Sequence, residues 1–381
     1  AGKSYLLYQR IQQLLREEHN INEIVYINFD DERLRQMTAD DLDLILQAYH
    51  SLFDLRPLLF FDEIQNIEGW EHFARRLANQ KYNIYITGSN AKMLSREIAT
   101  TLGGRFWNKD IYPYSFAEYL NARDIILSKN WMYGKQAAEV SKAFNDYFLY
   151  GGFPELTDVI AKRVWLNDIY SKIFFSDLIV RNKVRNEEAL GLLVRRLAEN
   201  VKQPVSYTRL ANLISSIGIK ISKATVIEFI RYLKESCLIF PIENYAAKFA
   251  ERNSNMKHYF IDNGLLSIFL LDGNTSLLEN IVAIHLYKRY GAQLYFYNQN
   301  IEVDFVIPEA KTAIQVSYSL MDETTCRREV EGLIKLNRVF PMDNMCIITR
   351  DEERIITHES GVSIHVIPVW KWLLKEEPLR T

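Results

Sequence analysis

Short apolar runs alternate with amphipathic stretches through the first 120 residues. Residues 4–18 carry apolar side chains at helical spacing and predict a helix, and 23–29 (EIVYINF) predicts a strand. A charged helix is expected over 40–49. A strand over 58–61 (LLFF) follows, closed by Asp62 and Glu63, then a helix over 70–79 and a strand over 83–87 (NIYIT). These strands are apolar along their length rather than alternating, and helices separate them. That pattern predicts a parallel sheet covered on both faces.

The pattern changes beyond residue 120. Residues 121–186 read as helical and aromatic-rich, broken at Gly151-Gly152-Phe153-Pro154. Residues 187–262 read as three helices, the second near 207–214 and the third near 223–236, followed by short strands at 239–246 and 258–261. That order predicts a winged helix-turn-helix. Residues 263–381 return to α/β, with helices at 277–290 and 323–337 and strands at 293–297, 301–307, 312–317, 344–349 and 363–367. Four segments are therefore expected, at 1–120, 121–186, 187–262 and 263–381. The chain of 381 residues is long enough for more than one core.

Composition narrows the class. Hydrophobic residues make up 48% and charged residues 25%, with a formal net charge of −2, which fits a soluble globular protein and not a strongly cationic one. No apolar run approaches the roughly 18 residues of a membrane span, so no membrane partner is expected. The three cysteines, Cys237, Cys326 and Cys346, are odd in number and far apart, which argues against a disulfide framework or zinc site and for a reducing cytoplasm. The seven histidines show no metal-ligand spacing.

Two short motifs carry the candidate chemistry. Gly2-Lys3-Ser4 is the end of a phosphate-binding loop of the form G-x-x-x-x-G-K-[ST], so residues completing it are expected upstream. Glycine lets the backbone approach phosphate, Lys3 brings a point charge, and Ser4 offers a hydroxyl to Mg²⁺ at the start of a helix whose N–H groups face the anion. Asp62 and Glu63 close a buried strand, where a sheet presents its ligand-binding edge. Asp62 is expected to hold Mg²⁺ and Glu63 to polarise the attacking water. A third strand ends in Thr87-Gly88-Ser89-Asn90, in which Ser89 and Asn90 are candidate γ-phosphate sensors. Arg105, after Gly103-Gly104, is a candidate arginine finger, and action in trans would imply an oligomer.

These residues, with Tyr112-Pro-Tyr-Ser-Phe-Ala-Glu-Tyr119, Tyr150-Gly-Gly-Phe-Pro-Glu155, Tyr259-Phe-Ile-Asp-Asn-Gly-Leu265, Leu278-Glu-Asn280 and Glu302-Val-Asp-Phe305, resemble a bacterial and archaeal family of AAA+-like ATPases. The resemblance implies a P-loop ATPase core, a winged-helix segment, a restriction-nuclease-like C-terminal domain of unknown function, and ATP with Mg²⁺ as ligands.

Glu279, Asp304, Gln315 and Ser317 fall where a PD-(D/E)xK nuclease carries its acids and its lysine. That chemistry needs carboxylates for a divalent metal and a cation beside the water. Gln315 has no charge and Ser317 cannot replace a lysine. The site therefore reads as degenerate, with Glu279 and Asp304 as solvated or paired surface acids and Lys311 too early to stand in.

Residues 181–258 hold 14 lysines and arginines against 7 acids, a local charge of +7. Such a segment fits phosphate contact. On its third helix Val226, Ile230 and Leu233 are expected in the core, leaving Lys223, Thr225, Glu228 and Arg231 for duplex DNA or a protein. The expected function is Mg²⁺-dependent ATP hydrolysis coupled to a regulatory or switch role. The alternatives are a DNA-binding regulator holding nucleotide as a structural ligand and a metal-dependent nuclease.

Overall fold

The computed structural model describes residues 2–88, 100–104, 106–248, 252 and 254–375. The chain divides into two units, Ala1–Tyr112 and Pro113–Thr381.

In the first unit the apolar runs become three strands, β1 (Ile24–Asn28), β2 (Leu58–Asp62) and β3 (Asn83–Ile86), with helices α1 (Lys3–Arg16), α2 (Asp43–Leu52) and α3 (Trp70–Asn79). The strands pair in the order β1-β2-β3, all parallel, with Asn28 beside Asp62. Every residue of β2 is buried, which is why its sequence shows no alternation. One face packs Leu59 and Phe61 against Phe73, Ala74 and Leu77 of α3. The other packs Leu58 and Phe60 against Leu7 and Leu14 of α1.

The second unit opens with α4 (Phe116–Asn121), α5 (Lys135–Tyr150), α6 (Lys162–Lys172), a π-helical continuation at Ile173–Val180, and α7 (Glu187–Glu199). Then come β4 (Val205–Ser206), α8 (Tyr207–Ser215), α9 (Lys223–Glu235), β5 (Ile239–Asn244), β6 (Asn255–Phe260), α10 (Asn263–Ser267) and α11 (Asn274–Tyr290). The rest is β7 (Tyr295–Asn298), β8 (Glu302–Ile307), β9 (Thr312–Val316), α12 (Glu323–Val339), β10 (Asn344–Thr349), β11 (Arg354–Thr357), β12 (Ser363–Pro368) and α13 (Val369–Lys375). Local chemistry sets several helix starts: Asn186, Ser206, Ser222 and Asp322 each accept a backbone N–H of the first turn.

The strands of this unit join in one sheet, ordered β11-β12-β10-β9-β8-β7-β5-β6-β4 among the described residues. The sheet runs across residue 262, where the sequence pattern changes, because β5 pairs in parallel with β7 through Glu243–Tyr295 and Asn244–Phe296. Of the aromatic stretches, Phe144, Tyr147, Phe148 and Phe153 are core, whereas Phe175 is 54% exposed. No helix among the described residues is long and apolar enough to cross a membrane.

Several motifs singled out in the sequence form a buried polar knot in this unit. Asp262 Oδ2 accepts the Gly152 N–H at 2.7 Å, and its Oδ1 accepts the Gly264 N–H at 2.8 Å. Burial nevertheless pushes its carboxyl up to about 6. Asn263 donates to the carbonyls of Phe148 and Leu277, and Asn280 bonds both the N–H and the carbonyl of Phe260. A Cβ on Gly152 would lie 2.3 Å from the Tyr114 carbonyl oxygen, and one on Gly264 would lie 2.1 Å from that of Tyr150. Backbone, not a flexible side chain, fills both spaces. Gly264→Ala should therefore cost about 3 kcal/mol in urea unfolding. Gly191→Ala, mid-helix in α7 with ordinary contact at 3.6 Å, should instead be neutral or stabilising by up to about 1 kcal/mol. Equal losses at the two positions would disprove the close-approach reading.

Candidate functional site

The first unit places its motif residues at the carboxyl edge of the parallel sheet. Gly2 is the N-cap of α1 with φ 77°, a left-handed conformation that glycine takes without strain, and no side chain caps the helix start. The N–H groups of the first turn thus face outward with the positive end of the helix dipole. Lys3 opens the helix, and its Nζ stands 4.0 Å from Glu63 Oε1, both side chains about three-quarters buried. Ser4 is half-buried in the same turn.

Asp62 ends β2 and is 1% exposed. Its Oδ2 accepts the Tyr26 hydroxyl at 2.8 Å from β1, and its Oδ1 accepts the Thr87 hydroxyl just beyond β3. The two neighbouring strands therefore fix the carboxylate from both sides. Thr87 Oγ1 also accepts the Glu63 N–H at 3.2 Å. Glu63 has φ 54°, uncommon for a residue with a Cβ, so the chain turns sharply off β2 at this point. Gln65 Nε2 donates to Glu63 Oε2 at 2.5 Å and orients that carboxylate in turn. Tyr26 is itself met by the Tyr8 hydroxyl at 3.0 Å, and burial first, then these hydrogen bonds, raises its pKa.

Gly2, Lys3, Ser4, Asp62 and Glu63 are thus elements of one edge, with Lys3 and Glu63 in direct apposition. Ser89, Asn90 and Arg105 lie outside the described residues. Sequence reading missed Tyr26 and Thr87. Tyr26 lies midway along β1, opposite Phe60, and Thr87 just past β3; their reach to Asp62 follows from strands that flank β2, which only the strand order reveals.

In the second unit, Glu279 and Asp304 come together, but not as surface acids. Glu279 is 4% exposed, and both carboxylates meet the ammonium of Lys257, which is wholly buried on β6. The solvated-acid expectation is corrected here: burial of α11 against the sheet removes the water such acids would need, and both are paired instead with an internal lysine. Gln315 serves the backbone. Its Oε1 accepts the Asp304 N–H at 2.8 Å, and its Nε2 donates to the Glu302 carbonyl at 3.1 Å. Ser317 donates to the Ser319 carbonyl, and Lys311 pairs with Asp343 at 3.6 Å.

The basic segment is less cationic at its surface than its count implies. Lys257 is internal, Arg181 pairs with Asp177, Arg196 with Glu199, and Arg231 lies 3.9 Å from Glu228 and 4.0 Å from Glu235. Val226, Ile230 and Leu233 are buried in α9 as expected, together with Phe229.

Comparison with known proteins adds the following. Residues 1–120 match the AAA domain family, and residues 141–276 match a domain of unknown function. The uncharacterized protein MJ1544 of Methanocaldococcus jannaschii is 34% identical, over 98% of this chain and 86% of its own length. An uncharacterized protein of Haemophilus influenzae is 30% identical, over 88% of this chain and 84% of its own length. A Walker-type ATPase of Pyrococcus abyssi is similar in structure at a TM-score of 0.36, with 14% identity, covering 69% of this chain and 75% of that one.

Proposed function

Because the chain belongs to the family of AAA+-like ATPases that includes MJ1544, we propose that the edge formed by Gly2, Lys3, Ser4, Asp62 and Glu63 binds ATP with Mg²⁺ and hydrolyses it. The observation that carries this reading is the apposition of Lys3 and Glu63 at 4.0 Å, beside a buried, doubly hydrogen-bonded Asp62.

The residues fit the ligand. The uncapped start of α1 and the left-handed Gly2 leave backbone N–H groups open to a phosphate. Lys3 adds a positive charge at the β/γ-phosphates. Ser4 and Asp62 supply the oxygen donors that Mg²⁺ prefers, one from the loop and one from the strand. Bound Mg²⁺ neutralises charge on the phosphate oxygens. Glu63, free to turn from Lys3 once phosphate takes that lysine, accepts a proton from the attacking water. Ser89 or Asn90 as sensor and Arg105 as finger complete the proposed site.

Nucleotide state then governs what the second unit holds, a regulatory role. The order of its elements from α7 to β6, helices followed by the antiparallel pair β5 and β6, supports reading this stretch as a winged helix. The face of α9 favours a protein over duplex DNA: Ile227 is 44% exposed, and Arg231 sits between Glu228 and Glu235. Carboxylates there would repel phosphate.

Lys3→Ala should abolish measurable nucleotide binding by fluorescent-ATP anisotropy. Undiminished binding would end the assignment. In the same assay, labelled duplex DNA should bind weakly and independently of nucleotide. Tight, salt-sensitive duplex binding that ATP alters would move the reading to a DNA-binding regulator.

A further inference from the structure

Three acids of the second unit converge on one point, and a lysine already stands there. Lys257 Nζ lies 3.1 Å from Asp304 Oδ1, 3.2 Å from Glu279 Oε1 and 3.4 Å from Glu302 Oε1. Its side chain is 0% exposed. The groups come from three elements far apart in sequence: β6, α11 and β8. The ammonium donates hydrogen bonds to Glu279 and Asp304, and Glu302 stands at ion-pair distance as its third charge partner. Tyr259, on the same face of β6, donates its hydroxyl to Glu279 at 2.7 Å, and the Phe296 ring centre lies 5.6 Å from Nζ.

We propose that Lys257 is a resident cation: it fills the point at which these carboxylates would otherwise gather a divalent metal, and it locks β6 to α11 and β8. The sequence places Glu279 and Asp304 where a nuclease would hold its metal, and the geometry gives that place to a protein side chain. The contacts are hydrogen-bonded in length, well beyond the roughly 2.0–2.6 Å of oxygen to Mg²⁺ or Ca²⁺. Gln315, in the position of a third metal carboxylate, spends both ends of its amide on the backbone of β8. That pins the acids toward the lysine instead of adding a ligand. No group of three or more His, Cys, Asp or Glu among the described residues is arranged to hold a metal. This inference is independent of the nucleotide site, which lies in the other unit.

Mn²⁺ is the probe, titrated by calorimetry and followed by Tm in the full chain. An Asp62→Asn background keeps the nucleotide site from contributing. The parent should show no Mn²⁺ uptake that Asp304→Asn removes. Lys257→Ala should lose stability, gain one Mn²⁺ site and recover Tm with the metal, and Asp304→Asn should cancel that gain. Uptake by the parent that depends on Asp304 would overturn the proposal, because the ammonium would then yield to metal. A folded Lys257→Ala that takes no Mn²⁺ would overturn it equally. Should Lys257→Ala not fold, Lys257→Met combined with Glu279→Gln decides. The neutral pair should restore most of the Tm lost by Lys257→Met alone, and a double variant no better than the single would refute the lock.

Discussion

Glu63→Gln is expected to lower steady-state ATP turnover by about 10²–10⁴-fold while nucleotide affinity stays within a few-fold. The substitution keeps the shape of the side chain and an oxygen for Gln65 to donate to, so the turn off β2 should survive. What it removes is a base. A carboxylate at the end of a buried strand takes the proton that leaves water as the new P–O bond forms and the bond from the γ-phosphorus to the bridging oxygen breaks, releasing ADP, and an amide cannot. A loss of that size corresponds to about 3–5 kcal/mol of transition-state stabilisation. The partition between kcat and affinity separates this residue from its neighbour. Lys3→Ala acts on the bound phosphates and should appear first in affinity. Asp62→Asn should disturb both, since the strands on either side converge on that carboxylate through Tyr26 and Thr87. Turnover by Glu63→Gln equal to that of the parent would exclude Glu63 as the base and leave a nucleotide-binding module.

Lys257→Met should destabilise the second unit by about 3–5 kcal/mol near neutral pH, measured by urea unfolding. The methionine fills the stem's volume, so little of the loss comes from packing. The cost is electrostatic: Glu279 and Asp304 remain buried or nearly so, without the charge that held them. The deficit should depend on pH with a definite sign. Burial raises the Glu279 carboxyl in the native state to about 7, with repulsion from Asp304 adding to it and Lys257 opposing it. A group raised on folding contributes stability that is present below its unfolded value, near 4.5, and is lost as pH climbs through about 7. Without Lys257 the native value rises further, so the variant's deficit should be larger at pH 8 than at pH 5. Glu302, Asp304 and Tyr259 face the same point. Glu329, also raised by burial and opposed by Arg328, feels Asp304 and Glu302 but acts alike in parent and variant and cancels in the difference. The buried His258 and His285, lowered to about 4 and about 3, destabilise the native state as pH falls below the ordinary histidine value. They act alike in parent and variant and cancel in the difference. A deficit independent of pH would show that the loss is one of packing.

The sequence by itself determined most of the local structure of the first unit and singled out the residues proposed to hold nucleotide. The run 58–61 had to be a buried strand because no polar position interrupts it, and the acidic pair at its end marks where the strand reaches the sheet edge. Gly2-Lys3-Ser4 needed a helix behind it, and the spacing of Leu7 and Leu14 supplied one. Such features depend on neighbours within a few turns of chain, so period and composition expose them. The buried face of α9 was legible for the same reason.

The tertiary structure decided what depends on strand order and on partners far apart in sequence. Tyr26 and Thr87 reach Asp62 only because β1 and β3 flank β2, and no local pattern encodes that order. Strand β11 and helix α13 were not foreseen, since the exposed, four-residue β11 carries little hydrophobic signal. Gly152 and Gly264 are fixed by carbonyls of residues 38 and 114 positions away, an approach that shows in the sequence only as glycine. The lysine absent from the strand of Gln315 and Ser317 arrives from β6, well before it in the chain. A charge count can register Lys257 as one more surface cation. Only the fold shows that desolvation and three carboxylates hold it inside.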